Sequence, residues 1–129
     1  MSPEPFQVSS SERSGVRVIS VSGELDLNTA PRFEGSLDAA FSAGDPFLVI
    51  DLSACEFVDM AGIDLILRAW VQLDGNGDGD GGGRLLLCGV TGQVHRVFEI
   101  SALESVIPTR GTLEEALADR RSSSSEEIV

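Results

Sequence analysis

The chain has 129 residues, the length of a single domain, and 42% of them are apolar, enough to form a hydrophobic core without metal ions or disulfides. Acidic residues number 21 and basic residues 9, all of them arginine, so the formal net charge is −12. A surface this acidic repels phosphate groups, which excludes direct binding to nucleic acids and anionic membranes and favours a protein partner with a basic face.

The N-terminal part predicts a β-hairpin after a frayed start over residues 1–5. Phe6–Val8 forms one short strand, and the polar segment 9–15 is expected to be the turn. Val16–Ser22 alternates between two faces, which is the pattern of a second, half-buried strand. Gly23 is expected to end that strand.

A first helix is predicted next, with Asn28 or Thr29 as its N-cap and Pro31 in its first turn. Gly44 is a suitable C-cap, because glycine readily adopts the left-handed conformation found there. The apolar residues that recur at helical spacing form one stripe: Phe33, Leu37, Ala40 and Phe41.

The middle of the chain predicts a buried strand and a second helix. Phe47–Leu52 is almost continuously apolar, as strands covered on both faces are. Phe57–Asp59 ends the connection from this strand to the second helix. Segment 74–83 is too rich in glycine to continue the helix, so a flexible loop is expected over these residues. The buried stripe of this helix is predicted to comprise Ile63, Ile66, Leu67, Trp70 and Val71.

The C-terminal third predicts two more strands and two more helices. Leu85–Cys88 is a buried strand, and Val106–Ile107 is a short one before Pro108. Thr112–Glu115 has the capping-box pattern that begins a final helix. Residues 121–129 are expected to be a disordered polar tail. Between the two strands, a third helix is indicated by Val94, Val97 and Phe98.

This order of elements, ββαβαβαβα, predicts the α/β class and one domain over residues 6–120. The alternation of strands and helices indicates a mixed, mainly parallel sheet with an N-terminal hairpin and helices packed on it. Functional loops are expected at the carboxyl ends of the strands. The chain begins with neither a basic stretch nor a long apolar run, and no segment approaches the roughly 20 apolar residues of a membrane span, so a cytoplasmic location is predicted.

Three segments at characteristic spacing point to a known family. Gly23–Asp26 reads Gly-Glu-Leu-Asp, Leu48–Leu52 is the third strand, and Phe57-Val58-Asp59 is followed by Gly62 at the start of the second helix. In this order they resemble the STAS domain of bacterial anti-sigma factor antagonists, over roughly Val16 to Leu117. Two further segments fit the fourth strand and third helix of that family: Gly83–Leu85 and Val94–Ile100.

The resemblance implies a protein that binds a kinase-like anti-sigma factor and so frees a sigma factor, without a cofactor of its own. In that family the kinase phosphorylates the second of two Ser or Thr residues in the loop before the second helix, and this dissociates the complex. Here those positions are Met60 and Ala61, so this loop cannot be phosphorylated, and either constitutive binding or regulation by another route is expected. The implied partner-binding residues are Asp26, Asp59, Met60, Ala61, Gly62 and Asp64.

Helix chemistry alone also indicates how a phosphate in this loop would act. Asp59 precedes a predicted helix and can serve as its N-cap, which sets Ala61 near position N2. A phosphate at N2 would lie among free N–H groups but would add a charge of about −1.5 to −2 beside Asp59 and Asp26. Repulsion on a binding surface could then expel a partner.

Two alternatives of other classes are considered. One is a STAS scaffold or ligand-sensing subunit of a larger signalling assembly, in which case a homodimer or a second STAS protein would be the partner. The other is an enzyme that uses Asp26 and Asp59 as paired carboxylates, although no His, Cys or Lys accompanies them in these loops.

Two further candidate sites lie outside that loop. Asp74, Asn76, Asp78 and Asp80 imitate the start of a calcium loop, but its twelfth position is Leu85 instead of Glu, so only weak calcium binding is expected. Cys55 and Cys88 lie near strand ends and are a candidate redox pair if their strands are neighbours. A metal site built from several histidines is excluded, because His95 is the only histidine.

Overall fold

The computed structural model describes residues 5–45, 47–73 and 84–118. Its centre is one mixed sheet of five strands, which lie side by side in sequence order. The first pair is antiparallel and the other three are parallel, which confirms the predicted class and sheet. The strands are β1 (Gln7–Arg13), β2 (Val16–Leu25), β3 (Phe47–Val58), β4 (Arg84–Cys88) and β5 (Thr109–Arg110). The helices are α1 (Ala30–Ala43), α2 (Met60–Leu73), α3 (Gly92–Ile100) and α4 (113–118), with a 3-10 turn at Leu103–Ser105.

The hairpin turn is shorter than predicted. Segment 9–15 was expected to be the turn, but β1 continues to Arg13, which pairs with Val16, and only Ser14 and Gly15 connect the strands. Both connecting residues have positive φ, +56° and +81°, as the type I′ form of a two-residue hairpin turn requires. The prediction was wrong because β1 is a largely exposed edge strand, and its serines carry no apolar alternation.

β2 and β3 both continue past their predicted ends. β2 runs through Gly23 to Leu25, and β3 runs six residues past Leu52 to Val58. Relative to β2, β3 carries two extra residues, because the pairing passes from Ser20–Asp51 to Ser22–Ala54 and from Gly23–Cys55 to Glu24–Phe57. These bulges place Leu52, Cys55 and Val58 in the same hydrophobic cluster despite their three-residue spacing. The continuous apolar run that predicted β3 ends at Leu52, which explains why the sequence prediction stopped there.

The helices keep their predicted places, but one of them presents a different face. Gly44 ends α1 in the left-handed conformation, with φ +77°, as predicted. In α2, Leu67 and Val71 were predicted to be buried, yet they lie on the exposed side, and Trp70 is half-buried. The buried face comprises Gly62, Ile63, Leu65, Ile66 and Ala69. The helix is apolar on more than one side, so periodicity alone did not determine which side meets the sheet.

The hydrophobic core is divided between the two faces of the sheet. The larger cluster joins the sheet to α1, α2 and α3, and its largest buried side chains include Phe33, Ile50 and Phe98. The smaller cluster joins the opposite face to α4: Val16, Val18, Val49, Leu86, Cys88, Ala116 and Leu117. Helices therefore cover both faces, as expected for a mainly parallel sheet.

The last strand follows Pro108 instead of preceding it. β5 is Thr109–Arg110, whereas the predicted strand Val106–Ile107 leaves the 3-10 turn. The capping box of α4 is confirmed in part: Thr112 Oγ1 accepts a hydrogen bond of 3.1 Å from the Glu115 N–H. Glu115 Oε1 accepts the return bond of 3.0 Å from Gly111, one residue before the expected donor.

Several predictions concern residues outside the described part of the chain. These are the frayed start over 1–5, of which only residue 5 is described, the glycine-rich loop with its calcium ligands Asp74, Asn76, Asp78 and Asp80, and the tail over 121–129. The domain limits 6–120 therefore remain predictions. Within the described ranges, none of the helices combines the length and the apolar character needed to cross a membrane.

Candidate functional site

The carboxyl ends of β2 and β3 bring two acidic loops together. Leu25 and Val58 are paired as the last residues of these strands, and Asp26 and Asp59 follow them directly. The Asp59 N–H donates to the Leu25 C=O at 3.1 Å, which continues the strand pairing into the loops. The two predicted carboxylates therefore lie at one edge of the sheet, where α/β proteins place their functional loops.

Asp59 links the two loops through its carboxylate. Its Oδ1 accepts a 2.9 Å hydrogen bond from the Ala61 N–H, which confirms it as the N-cap of α2 and Ala61 as the N2 residue. Its Oδ2 accepts a 3.2 Å bond from the Leu27 N–H in the loop after β2. One side chain thus caps α2 and holds the neighbouring loop against it.

Asp26 shapes the loop that leads into α1. Its Oδ1 accepts hydrogen bonds from the N–H groups of Asn28 at 2.9 Å and Thr29 at 3.1 Å. The Thr29 hydroxyl donates to the Glu24 C=O at 2.8 Å and closes the same loop. Both carboxylates therefore organise backbone, which is the role such side chains commonly have at turns and helix starts.

The three residues that begin α2 differ in what they present. Met60 has 67% of its surface exposed, whereas Ala61 is half-buried against the core and Gly62 is buried. Of these predicted partner-binding residues, only Met60 can reach a partner with a long side chain. Gly62 contributes through packing, because a Cβ atom there would lie 2.7 Å from Leu25 Cγ and from Val58 Cγ2.

Gly62→Ala is expected to lower the free energy of unfolding by about 1–3 kcal/mol, since its Cβ must displace two fully buried side chains. The measurement is urea unfolding followed by circular dichroism. An unchanged midpoint would mean that α2 can move outward freely and that Gly62 is not required for its close packing.

The exposed apolar side chains near this site form a pattern that the sequence prediction missed. Met60, Leu67 and Val71 recur along α2 at helical spacing, and we call them the α2 stripe. Leu27, 75% exposed, extends the apolar surface into the loop held by Asp59. The signal was present in the sequence, because α2 has more apolar residues than one buried face can hold.

Charged side chains border the stripe. Asp64, a predicted partner-binding residue, lies between Met60 and Leu67 along α2 and forms an ion pair of 3.1 Å with Arg68. Arg68 also approaches Glu34 of α1 at 3.8 Å. All three side chains are well exposed, so these pairs contribute little to stability and leave Asp64 accessible.

The two cysteines do not form the predicted redox pair in this fold. Their strands are neighbours, but Cys88 pairs with Asp51, and Cys55 lies about 10 Å further along β3, beyond the roughly 7 Å that a disulfide allows between Cα atoms. They also belong to different hydrophobic clusters, one on each face of the sheet. The prediction was wrong because two residues near the ends of neighbouring strands need not be in register.

Both thiols are also poor nucleophiles. Burial raises the pKa of Cys55, and burial together with the neighbouring Asp51 carboxylate raises the pKa of Cys88 to about 12. Both are therefore protonated at neutral pH, whereas reactive cysteines need the thiolate.

No metal site is found in the described ranges, because they contain no group of three or more His, Cys, Asp or Glu residues suited to hold an ion.

Comparisons with known proteins agree with this fold. Residues 7–116 match the model of the STAS domain family. The chain is 27% identical over 104 residues to the anti-sigma F factor antagonist of Paenibacillus polymyxa, covering 80% of this chain and 85% of that protein. It is 36% identical over 64 residues to the anti-sigma-F factor antagonist RsfB of Mycobacterium tuberculosis, covering 50% and 52%. The crystal structure of an anti-sigma factor antagonist from Mycobacterium paratuberculosis superposes with a TM-score of 0.79 at 30% identity, over 91% of this chain and 95% of that one.

Proposed function

The chain belongs to the STAS domain family, and from this premise we propose that it is an anti-sigma factor antagonist. It would bind an anti-sigma factor of the kinase-like ATPase class and thereby free a sigma factor. The names of its relatives support this proposal. The structural observation that supports this function best is the Asp59 carboxylate, which joins the loop after β2 to the start of α2 and so forms one continuous surface. Because its proposed partner controls transcription, we expect the protein in the bacterial cytoplasm.

We propose a contact surface centred on the start of α2. Of the predicted residues, Asp26, Asp59, Met60 and Asp64 lie on it with accessible side-chain atoms, and Ala61 and Gly62 shape it from beneath. Leu27, Leu67 and Val71 extend this surface with an apolar area beyond the predicted residues. An apolar centre among carboxylates fits a partner with apolar anchors and basic residues at its rim.

This role is binding without catalysis. Asp26 Oδ1 and both carboxylate oxygens of Asp59 accept hydrogen bonds from backbone N–H groups, which gives each residue a structural role. We also propose that no phosphate is added to this loop, since Ala61 offers no hydroxyl.

The proposal is tested by a pull-down of the intact chain from the cytoplasm of its own cell under reducing conditions, with mass spectrometry of the bound proteins. Recovery of a kinase-like ATPase would support the antagonist role. Recovery of other STAS proteins alone would favour the scaffold alternative, and recovery of neither class would contradict the proposal.

Met60→Ser is expected to weaken binding to that ATPase about tenfold, because it removes an exposed apolar anchor worth roughly 1.4 kcal/mol. The matched control is Ile100→Ser, which removes another exposed apolar residue, 85% accessible, at the end of α3. Isothermal titration calorimetry measures both affinities, and thermal unfolding should show both variants as stable as the native protein. Equal affinities for the two variants would show that Met60 does not contribute to the contact surface.

A further inference from the structure

Gln93 holds the end of β3 from the side opposite β2. Its Oε1 accepts a 3.0 Å hydrogen bond from the Val58 N–H, and its Nε2 donates to the Val58 C=O at 3.3 Å. One side-chain amide therefore pairs with both backbone groups of Val58, as a residue of an adjacent strand would. Gln93 belongs to the first turn of α3, so this pair of bonds ties α3 to the base of the Asp59 loop.

The sheet itself explains why such a side chain is needed. β4 pairs with β3 only over Phe47–Asp51 and ends at Cys88, so it does not reach the distal half of β3. Val58 is almost fully buried, and buried backbone groups require a partner in place of water. Gln93 supplies that partner where the strand does not.

The position of Val58 makes this pairing relevant to binding. Val58 directly precedes Asp59, whose carboxylate caps α2 at Ala61 and holds Leu27. On its other side Val58 is paired with Leu25, the last residue of β2. The residue from which the Asp59 loop departs is thus fixed by β2 on one side and by Gln93 on the other.

We propose that Gln93 is a positioning residue for the partner-binding loop: its amide fixes Val58, and through it the orientation of Asp59 and the start of α2. This inference rests on the proposed function for its consequence in binding, but the positioning itself can be measured without a partner. It also makes α3 a structural element through which changes elsewhere in the domain would reach the loop.

The test compares Gln93→Leu, which keeps the side-chain volume but loses both bonds, with Gln93→Glu, which keeps an acceptor for the Val58 N–H. Amide hydrogen exchange by NMR is the readout. In Gln93→Leu we expect exchange at Val58 and Ala61 to be at least tenfold faster, with little change over Phe47–Asp51. In Gln93→Glu the Val58 amide should stay protected. Arg96→Leu, at an exposed site on α3, is the matched control and should leave all of these rates unchanged.

Each outcome is decisive. Selective acceleration at Val58 and Ala61 supports the positioning role, because global destabilisation would accelerate exchange throughout β3. Unchanged protection in Gln93→Leu, or equal acceleration at every amide, overturns it. Affinity for the kinase-like ATPase should then fall in the order native, Gln93→Glu, Gln93→Leu. If the native chain binds no such ATPase, the proposed function fails, while the exchange data still decide whether Gln93 positions the loop.

Discussion

Replacing Ala61 with serine is expected to make the loop a phosphoacceptor, and its phosphorylation should weaken partner binding about 100-fold. Ala61 is the N2 residue of α2, and its N–H already donates to Asp59. A phosphate there would add a charge of about −1.5 to −2 within a few ångströms of that carboxylate. On a surface that must be desolvated on binding, a like-charge contact costs several kcal/mol, so a 100-fold loss, about 2.7 kcal/mol, is a moderate expectation.

The experiment incubates Ala61→Ser and the native chain with the recovered kinase-like ATPase and ATP. Mass spectrometry of tryptic peptides locates the phosphate, and calorimetry measures affinity before and after the reaction. The native chain serves as the matched control and should keep its affinity without modification. Stoichiometric phosphate elsewhere on the native chain, accompanied by loss of binding, would contradict constitutive binding. A phosphorylated variant of unchanged affinity would contradict the electrostatic argument.

Gly89→Ala is expected to cost about 3–4 kcal/mol of the free energy of unfolding, combining overpacking with a left-handed backbone conformation. Gly89 has φ +73°, and a Cβ atom there would lie 2.6–2.7 Å from the backbone and Cβ atoms of Ser53. The backbone of a central strand cannot move as a flexible side chain can. The chain leaves β4 at this close approach and turns toward α3, so the substitution also disturbs the element that carries Gln93.

Gly35→Ala is the matched control for that variant. Gly35 lies within α1, and nothing lies within 4 Å of an added Cβ. Alanine there should raise the free energy of unfolding by about 0.5–1 kcal/mol, because it has the higher helix propensity. Urea unfolding of both variants gives the comparison. A Gly89→Ala variant at least as stable as the native chain would contradict the close contact with Ser53.

Features set by local chemistry could be predicted from the sequence. Asp59 was predicted as the cap of α2 and Gly44 as the end of α1, and both are found. Each depends on one residue and the few that follow it, so no long-range packing needs to be known. The fold class could be predicted as well, because the alternation of strands and helices along the chain indicates a mainly parallel sheet.

Features that depend on strand register, or on which face of a helix meets the sheet, could not be predicted. The two bulges of β3 shift the burial pattern beyond Leu52, and the register separates Cys55 from Cys88. The choice of buried face in α2 depends on where the sheet lies, so Leu67 was assigned to the wrong side. Gln93 belongs to no recognisable motif. Its role depends on the early end of β4, which stops before the Asp59 loop.

The bonds made by Asp59 have a kinetic consequence. A side chain that fastens two loops before any partner arrives removes much of the conformational freedom that recognition would otherwise have to freeze. Encounter can then proceed nearly as the docking of rigid bodies, for which association rates of about 10⁵–10⁷ M⁻¹ s⁻¹ are typical, and the acidic surface can increase them further toward a basic partner. Differences in the lifetime of the complex, more than in the speed of its formation, would then decide how long a sigma factor stays free.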